Sequence, residues 1–103
     1  MTERGGTTYR LGSIGAGVMG RALLGSALDA GVVAAGEVIA SDLDPTCRTE
    51  VEGMGCVATD DNREVARSSE ALLIAVKPQV IAEVLGDLRD DLREGQLLIS
   101  IAA

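Results

Sequence analysis

The sequence predicts an α/β fold with a parallel sheet of five strands in the order 3-2-1-4-5 and helices on both faces. Three observations predict it. Apolar extended runs alternate with helix-like segments along the chain. One run, 71–76, is continuously apolar, which is typical of a parallel strand covered on both faces. A glycine-rich turn separates the first strand from the first helix, and right-handed crossovers then give the strand order.

The first half of the domain is predicted to contain three strands, with a helix after each of the first two. A strand over 9–14 leads into a helix over 18–30, whose apolar residues repeat at helical spacing until Gly31 ends it. A second strand over 38–41 is followed by a short helix that begins at Asp44 and Pro45. A third, short strand is expected over 56–58. The polar residues 1–8 are expected to form a flexible leader, outside a single domain of residues 9–103.

The second half continues the same alternation. Asp60 or Asp61 is expected to cap a third helix that runs to about Arg67. The apolar run 71–76 forms the fourth strand. Pro78 opens a fourth helix, whose apolar stripe reaches position 92, and a fifth strand covers 96–101. Strand order reverses between the first and fourth strands, so a ligand crevice is expected above their carboxyl ends.

The glycine-rich turn predicts a dinucleotide site. Gly15 permits the tight turn, Gly17 lets the backbone approach a phosphate, and Gly20 allows close packing of helix on strand. Free N–H groups and the positive end of the helix dipole favour an anion there. Taken alone, the glycine pattern also fits an ordinary turn without a ligand. The predicted cofactor-binding residues of the turn are Gly15, Ala16, Gly17, Val18, Met19 and Gly20.

Asp42 supports the dinucleotide interpretation, because an acid at the end of the second strand is expected about 20 residues after the turn. Its carboxylate can accept hydrogen bonds from the adenosine ribose hydroxyls and would repel a 2′-phosphate. The neighbouring Leu43 offers no positive charge. These two residues favour NAD(H) over NADP(H). The alternative role for Asp42 is that of a turn former at the strand end.

Two further segments fall near the predicted crevice. The segment that follows the fourth strand consists of Ala75, Val76, Lys77 and Pro78. Lys77 offers a charge or a backbone contact to the ribose or nicotinamide side of a cofactor, or it is a solvated loop residue. We assign it no catalytic role, because no partner acid or base is visible, and the role of Pro78 is geometric. Asn62 either contacts the adenine edge or caps the third helix.

Composition excludes several classes of function. The formal net charge of −7 disfavours binding to nucleic acid and to anionic membranes. The chain has no histidine, which excludes histidine catalysis and histidine-ligated metal. Cys47 and Cys56 lack metal-ligand spacing, so no metal is expected and both are read as free thiols. Without a signal peptide or a membrane-length apolar run, the chain is expected in the cytoplasm.

The assembled motifs resemble those of pyrroline-5-carboxylate reductase, in its N-terminal, Rossmann-like NAD(P)-binding domain. The resemblance runs from about position 11 to the end. It is carried by the turn 14–20, by Asp61-Asn62, by the Ala-Val-Lys-Pro-Gln-Val segment 75–80 and by Ser-Ile-Ala-Ala at 100–103. It implies reduction of 1-pyrroline-5-carboxylate to L-proline, the last step of proline biosynthesis, with NAD(P)H. It also implies that the turn, Asn62, the segment 75–78 and Ala103 line the cofactor site. Many family members use NADPH.

The resemblance also indicates what these 103 residues lack. The family continues into a helical domain that builds the dimer and supplies most of the substrate pocket. We therefore expect a cofactor-binding domain that is catalytically incomplete alone, with no catalytic residue of its own and with homo-oligomers only when that domain is present. Two alternatives stay open. One is the cofactor domain of another NAD(P)-dependent reductase, such as a deazaflavin-dependent NADP reductase, and the other is a non-enzymatic nucleotide-binding module.

Overall fold

A computed structural model describes residues 8–101. Its five strands are β1 (Tyr9–Ile14), β2 (Val38–Ser41), β3 (Val57–Thr59), β4 (Ser69–Ile74) and β5 (Leu97–Ser100). Its four α-helices are α1 (Val18–Asp29), α2 (Pro45–Gly53), α3 (Asn62–Ser68) and α4 (Ile81–Leu88), and one-turn 3₁₀ helices cover Ala35–Glu37 and Pro78–Val80. All neighbouring strands are parallel, in the order β3-β2-β1-β4-β5. The predicted strand order is confirmed.

Two apolar clusters lie on opposite faces of the sheet, as the alternation of side chains along each strand requires. One cluster joins Ile14, Ile39 and Leu72 of the sheet to α3 and α4. The other joins Val38 and Ala40 to α1 and α2. The prediction of helices on both faces is therefore confirmed, and the strand ends that carry the site are held from both sides.

The starts of α2 and α3 follow the predicted capping. Asp44 caps α2 by accepting a hydrogen bond from the N–H of Thr46, with Pro45 in the first turn. Asp61 caps α3 by accepting one from the N–H of Arg63. Gly31, just beyond α1, has a φ of 75°, which a glycine adopts without strain.

Several predicted boundaries are wrong. β3 lies one residue later than 56–58, and β5 is shorter than 96–101. β4 begins at Ser69 rather than position 71, because this polar residue pairs with Tyr9, and it ends at Ile74 because the chain then turns into the crevice. Pro78 opens a 3₁₀ turn, and α4 ends at Leu88, where a tighter turn follows through the N–H of Asp91.

The two ends of the chain complete the description. Residues 1–7 of the predicted leader lie outside the described residues, while the N–H of Thr8 donates to the carbonyl of Ser68. β5 is an edge strand, and Leu97, Leu98 and Ile99 are 59%, 44% and 42% exposed. Within residues 8–101, β5 therefore leaves an open edge of the sheet. In the same part of the chain, no helix has the length and apolar character needed to cross a membrane.

Candidate functional site

The glycine-rich turn leaves β1 in the geometry that a phosphate-binding turn requires. Gly15 has a φ of 98°, and a Cβ there would overlap the carbonyl oxygen of Ala75. A Cβ on Gly20 would approach the carbonyl oxygen of Gly15 to 2.9 Å. Beside Gly17, no atom lies within 4 Å of the place a Cβ would take. Two glycines therefore permit close packing, and the third leaves open space.

That open space lies at the start of α1. Gly17 is the residue before the first helical turn, and no side chain caps the helix there. The first turn carries no acidic residue. Because the first N–H groups of a helix have no intrahelical acceptor, they are available to an anion from outside.

A cavity of about 580 Å³ lies against this helix start. Its wall consists of Gly15, Gly17, Val18, Met19, Gly20, Ala22, Asp42, Ala75, Val76 and Lys77. The structure thus brings together the carboxyl ends of β1, β2 and β4, as the strand order predicts. Two of the residues predicted in the turn and in the segment 75–78 do not line the cavity. Ala16 is fully buried within the turn, and Pro78 begins the 3₁₀ turn that follows Lys77. Ala22 was not predicted. Ala103 lies outside the described residues.

Asp42 is tied to the turn by its side chain. One carboxylate oxygen, Oδ2, accepts a hydrogen bond from the N–H of Ala16 at 2.9 Å. The other, Oδ1, accepts one from the N–H of Asp44 at 2.9 Å. Each carboxylate oxygen can accept a further hydrogen bond, and Asp42 borders the cavity. The expected role at a ribose is compatible with this geometry, but the bond to Ala16 was not foreseen.

Asn62 lies beside a second cavity, of about 230 Å³, that shares Gly15, Asp42 and Val76 with the first. Its Oδ1 accepts a hydrogen bond from Ser41 Oγ at 2.6 Å, which orients the amide. The alternative that Asn62 caps α3 is wrong, because Asp61 is the capping residue.

Lys77 and Pro78 follow β4 at the far side of the cavity. The N–H of Ala75 donates to the carbonyl of Ile14 at 2.8 Å, which fixes this segment against the end of β1. Lys77 then has an extended backbone and precedes the 3₁₀ turn that Pro78 begins. This conformation turns the chain from the sheet into α4 and leaves Lys77 on the cavity wall.

Three side chains around the site were missed by sequence reasoning. Arg21 donates from Nη1 to the carbonyl of Ala16 at 2.8 Å. Arg48 donates from Nη1 to the carbonyls of Asp42 and Leu43 at 2.9 and 3.1 Å. Ser41 bonds Asn62, as described above. No sequence pattern marks these bonds. Those of Arg21 and Arg48 depend on which nearby carbonyl a long side chain reaches, and the bond between Ser41 and Asn62 joins two residues that only the fold brings together.

The chemistry of the remaining candidate groups is limited. Cys47 and Cys56 are free thiols, and burial raises the pKa of the Cys56 thiol. Across residues 8–101, no cluster of three or more potential ligand side chains could hold a metal ion. The site therefore consists of backbone donors, the Asp42 carboxylate and the Lys77 side chain around a mostly apolar cavity, with the Asn62 amide at the adjoining smaller cavity.

The match of the sequence to a known protein family shows to which family the chain belongs. The family described as NADP oxidoreductase, coenzyme F420-dependent, matches residues 10–103. The chain belongs to this family. The description of this family names oxidoreductases that use NADP, which supports the binding of a nicotinamide dinucleotide by this chain.

The curated relatives are pyrroline-5-carboxylate reductases. The protein from Pisum sativum is 32% identical over 96 residues, which cover 93% of this chain and 35% of the relative. The protein from Methanosarcina acetivorans is 38% identical over 95 residues, which cover 91% and 35%. The chain thus spans about a third of the length of these relatives, and the resemblance to their N-terminal domain is confirmed.

Solved structures agree with this assignment. The pyrroline-5-carboxylate reductase of Coxiella burnetii superposes with a TM-score of 0.82 at 29% identity, over 94% of this chain and 36% of that one. The Plasmodium falciparum pyrroline carboxylate reductase, whose structure has NADP bound, gives 0.74 at 27% identity, over 91% and 33%. The Rossmann-like fold of the described domain is therefore confirmed.

Proposed function

We propose that this chain is the cofactor-binding domain of an NAD(P)H-dependent reductase that converts 1-pyrroline-5-carboxylate to L-proline, the last step of proline biosynthesis. The observation that carries the proposal is the open space beside Gly17 at an uncapped helix start, facing a cavity that Asp42 also borders. Free N–H groups and the helix dipole make this place suitable for a pyrophosphate. The similarity to pyrroline-5-carboxylate reductases supports the choice of substrate.

The predicted site residues take separate roles in this proposal. The turn 15–20 holds the pyrophosphate, and Asp42 accepts hydrogen bonds from the adenosine ribose. Asn62 presents its side-chain NH₂ toward the adenine end, since Ser41 already occupies its Oδ1. The segment 75–78 borders the nicotinamide end, and Ala103 joins it by resemblance. When bound, the nicotinamide supplies the hydride for the C=N carbon, and the protein contributes position and electrostatics.

We further propose that the site prefers NAD(H) to NADP(H). The Asp42 carboxylate would lie close to a 2′-phosphate and repel it. Leu43 is exposed and uncharged, and Arg48 uses Nη1 to bind the carbonyls of Asp42 and Leu43. Calorimetric titration should give a lower Kd for NADH than for NADPH. The variant Asp42→Asn should narrow that difference, because it removes the charge while keeping a side-chain oxygen as acceptor. Equal affinities in the unchanged chain would contradict this preference.

We propose that reduction of the imine needs more polypeptide than these 103 residues, because the chain spans about a third of its relatives. Substrate groups and a homo-oligomer interface would then come from that additional part. The two free thiols fit a reducing compartment, so we propose a cytoplasmic protein.

Titration of the chain with NADH and NADPH tests the central proposal. Binding of at least one of them supports it, and no binding of either at millimolar concentration would refute it. The protein as its gene encodes it should then be assayed with 1-pyrroline-5-carboxylate and NAD(P)H, and the 103-residue chain alone should show no turnover.

Other reductases are the second candidate, because the family model is described by coenzyme F420 and solved imine reductases share the fold. That candidate would be favoured if the gene-encoded protein transferred hydride between the deazaflavin coenzyme F420 and NADP and had no activity on the imine. Dinucleotide binding with no reductase activity from the gene-encoded protein would favour a nucleotide-binding module.

A further inference from the structure

Two side chains from outside the glycine-rich turn hold its second residue. Ala16 is fully buried. Its N–H donates to Oδ2 of Asp42 at 2.9 Å, and its carbonyl accepts from Nη1 of Arg21 at 2.8 Å. These bonds fix two successive peptide units, the one between Gly15 and Ala16 and the one between Ala16 and Gly17. No local sequence pattern predicted either bond. Asp42 follows the end of β2, and Arg21 lies in the first turn of α1.

The bond from Arg21 determines which way the Gly17 N–H points. In a planar trans peptide, the carbonyl and the following N–H point in opposite directions. Gly17 lines the 580 Å³ cavity, whereas Ala16 and Arg21 are not among the described residues of its wall. Because the fully buried Ala16 gives its oxygen to Arg21, the opposite edge of this peptide, which carries the Gly17 N–H, is the edge that we expect to face the cavity. An unheld carbonyl that rotated toward the cavity would repel a phosphate.

The charge of Arg21 acts in the same direction. Arg21 is half-buried, and no carboxylate among residues 8–101 forms an ion pair with it. The chain carries a formal net charge of −7, so an unneutralised cation beside the helix start locally offsets the repulsion of an anion.

We propose that Arg21 is a positioning residue for dinucleotide binding, which acts through the Ala16–Gly17 peptide and not by contact with the nicotinamide. The inference rests on the proposed function and adds a residue that determines affinity for the pyrophosphate. Arg21 orients a donor, and its charge raises the affinity of that donor's site for an anion.

Two substitutions and one control test the proposal. Arg21→Met removes the donor and the charge, and Arg21→Lys keeps both in a different shape. Arg10→Met removes an equal charge from the opposite end of β1, remote from the turn. The Kd values for NADH, ADP-ribose and adenosine are measured by calorimetry. Arg21→Met should bind NADH and ADP-ribose about tenfold more weakly, since the positive charge beside the helix start and the fixed orientation of the Ala16–Gly17 peptide are both lost. Adenosine binding should not change, Arg21→Lys should recover most of the loss, and Arg10→Met should match the unchanged chain.

The outcomes separate this inference from the proposed function. If the unchanged chain binds no dinucleotide, the proposed function fails. If it binds and Arg21→Met binds equally well, the role of Arg21 is refuted while the proposed function stands. If Arg21→Met loses the same affinity for adenosine as for ADP-ribose, the role of Arg21 is also refuted, because the loss then reflects a general structural effect. Should Arg21→Met not fold, Arg21→Gln decides, because it removes the charge and keeps a side-chain donor. It should weaken the binding of ADP-ribose and leave that of adenosine unchanged, and an unchanged Kd for ADP-ribose would overturn the proposal.

Discussion

A valine at position 17 should strongly weaken cofactor binding without unfolding the protein. Gly17 has φ −73° and ψ −167°, a conformation that any L-residue adopts, and the space beside it is empty to 4 Å. The Cβ that Gly17→Val adds therefore has no protein atom within 4 Å. Because the residue precedes α1 without a side-chain cap, we expect the free energy of unfolding to change by less than about 1 kcal/mol.

The effect on binding should be far larger. A phosphate oxygen must come within about 3 Å of a backbone nitrogen to accept its hydrogen bond, and the added methyl groups occupy that space. Loss of one charge-assisted hydrogen bond costs about 1.5–3 kcal/mol. The Kd for NADH measured by calorimetry should therefore rise about 10- to 100-fold. Gly36→Val is the matched control, because position 36 is equally open and does not line the cavity. An unchanged Kd for Gly17→Val would refute the placement of the pyrophosphate at this turn.

Three further predictions concern stability. Gly15→Ala combines a φ of 98° with an overlap against a backbone carbonyl, whereas Gly31 has a φ of 75° in open space. Chemical denaturation should therefore show that Gly15→Ala lowers the free energy of unfolding more than Gly31→Ala does. Gln96→Leu should lower the free energy of unfolding by about 1–3 kcal/mol, because its Nε2 bonds two backbone carbonyls at 2.7 and 2.8 Å, whereas the exposed Gln79→Leu should change it little. Burial raises the pKa of the Cys56 thiol, so its contribution to stability should be complete below the ordinary thiol pKa and lost as pH rises through the raised value. Denaturation at several alkaline pH values should show that loss, and Cys56→Ala should lack it.

Sequence patterns predicted the order of elements because each strand and helix here carries a local signal. Hydrophobic runs mark the strands, and Asp44 and Asp61 mark two helix starts through bonds to N–H groups two residues away. The same reasoning misplaced β4, because an apolar run gives no warning that its last two residues leave the sheet. It also missed Ser69, whose polar side chain begins that strand fully buried.

The candidate site was predicted in composition but not in its connections. The residues of the turn and the segment 75–77 could be placed at one crevice, since strand order brings carboxyl ends together. The hydrogen bonds of Arg21 and Arg48 could not be predicted, because a long side chain has many acceptors within reach and only the folded structure shows which one it uses. Asp42 lies between these cases, since its position was expected and its bond to Ala16 was not.

These connections explain why a glycine-rich turn with few side chains of its own can hold a fixed shape. The N–H of Gly15 donates to the carbonyl of Ser41 at the end of β2, and the N–H of Ala75 donates to the carbonyl of Ile14 at the end of β1. The turn therefore begins between two neighbouring strand ends that the apolar core fixes on both faces of the sheet. Asp42 then fixes the next peptide. Because the donors are oriented before any ligand arrives, little conformational entropy is left for a dinucleotide to remove.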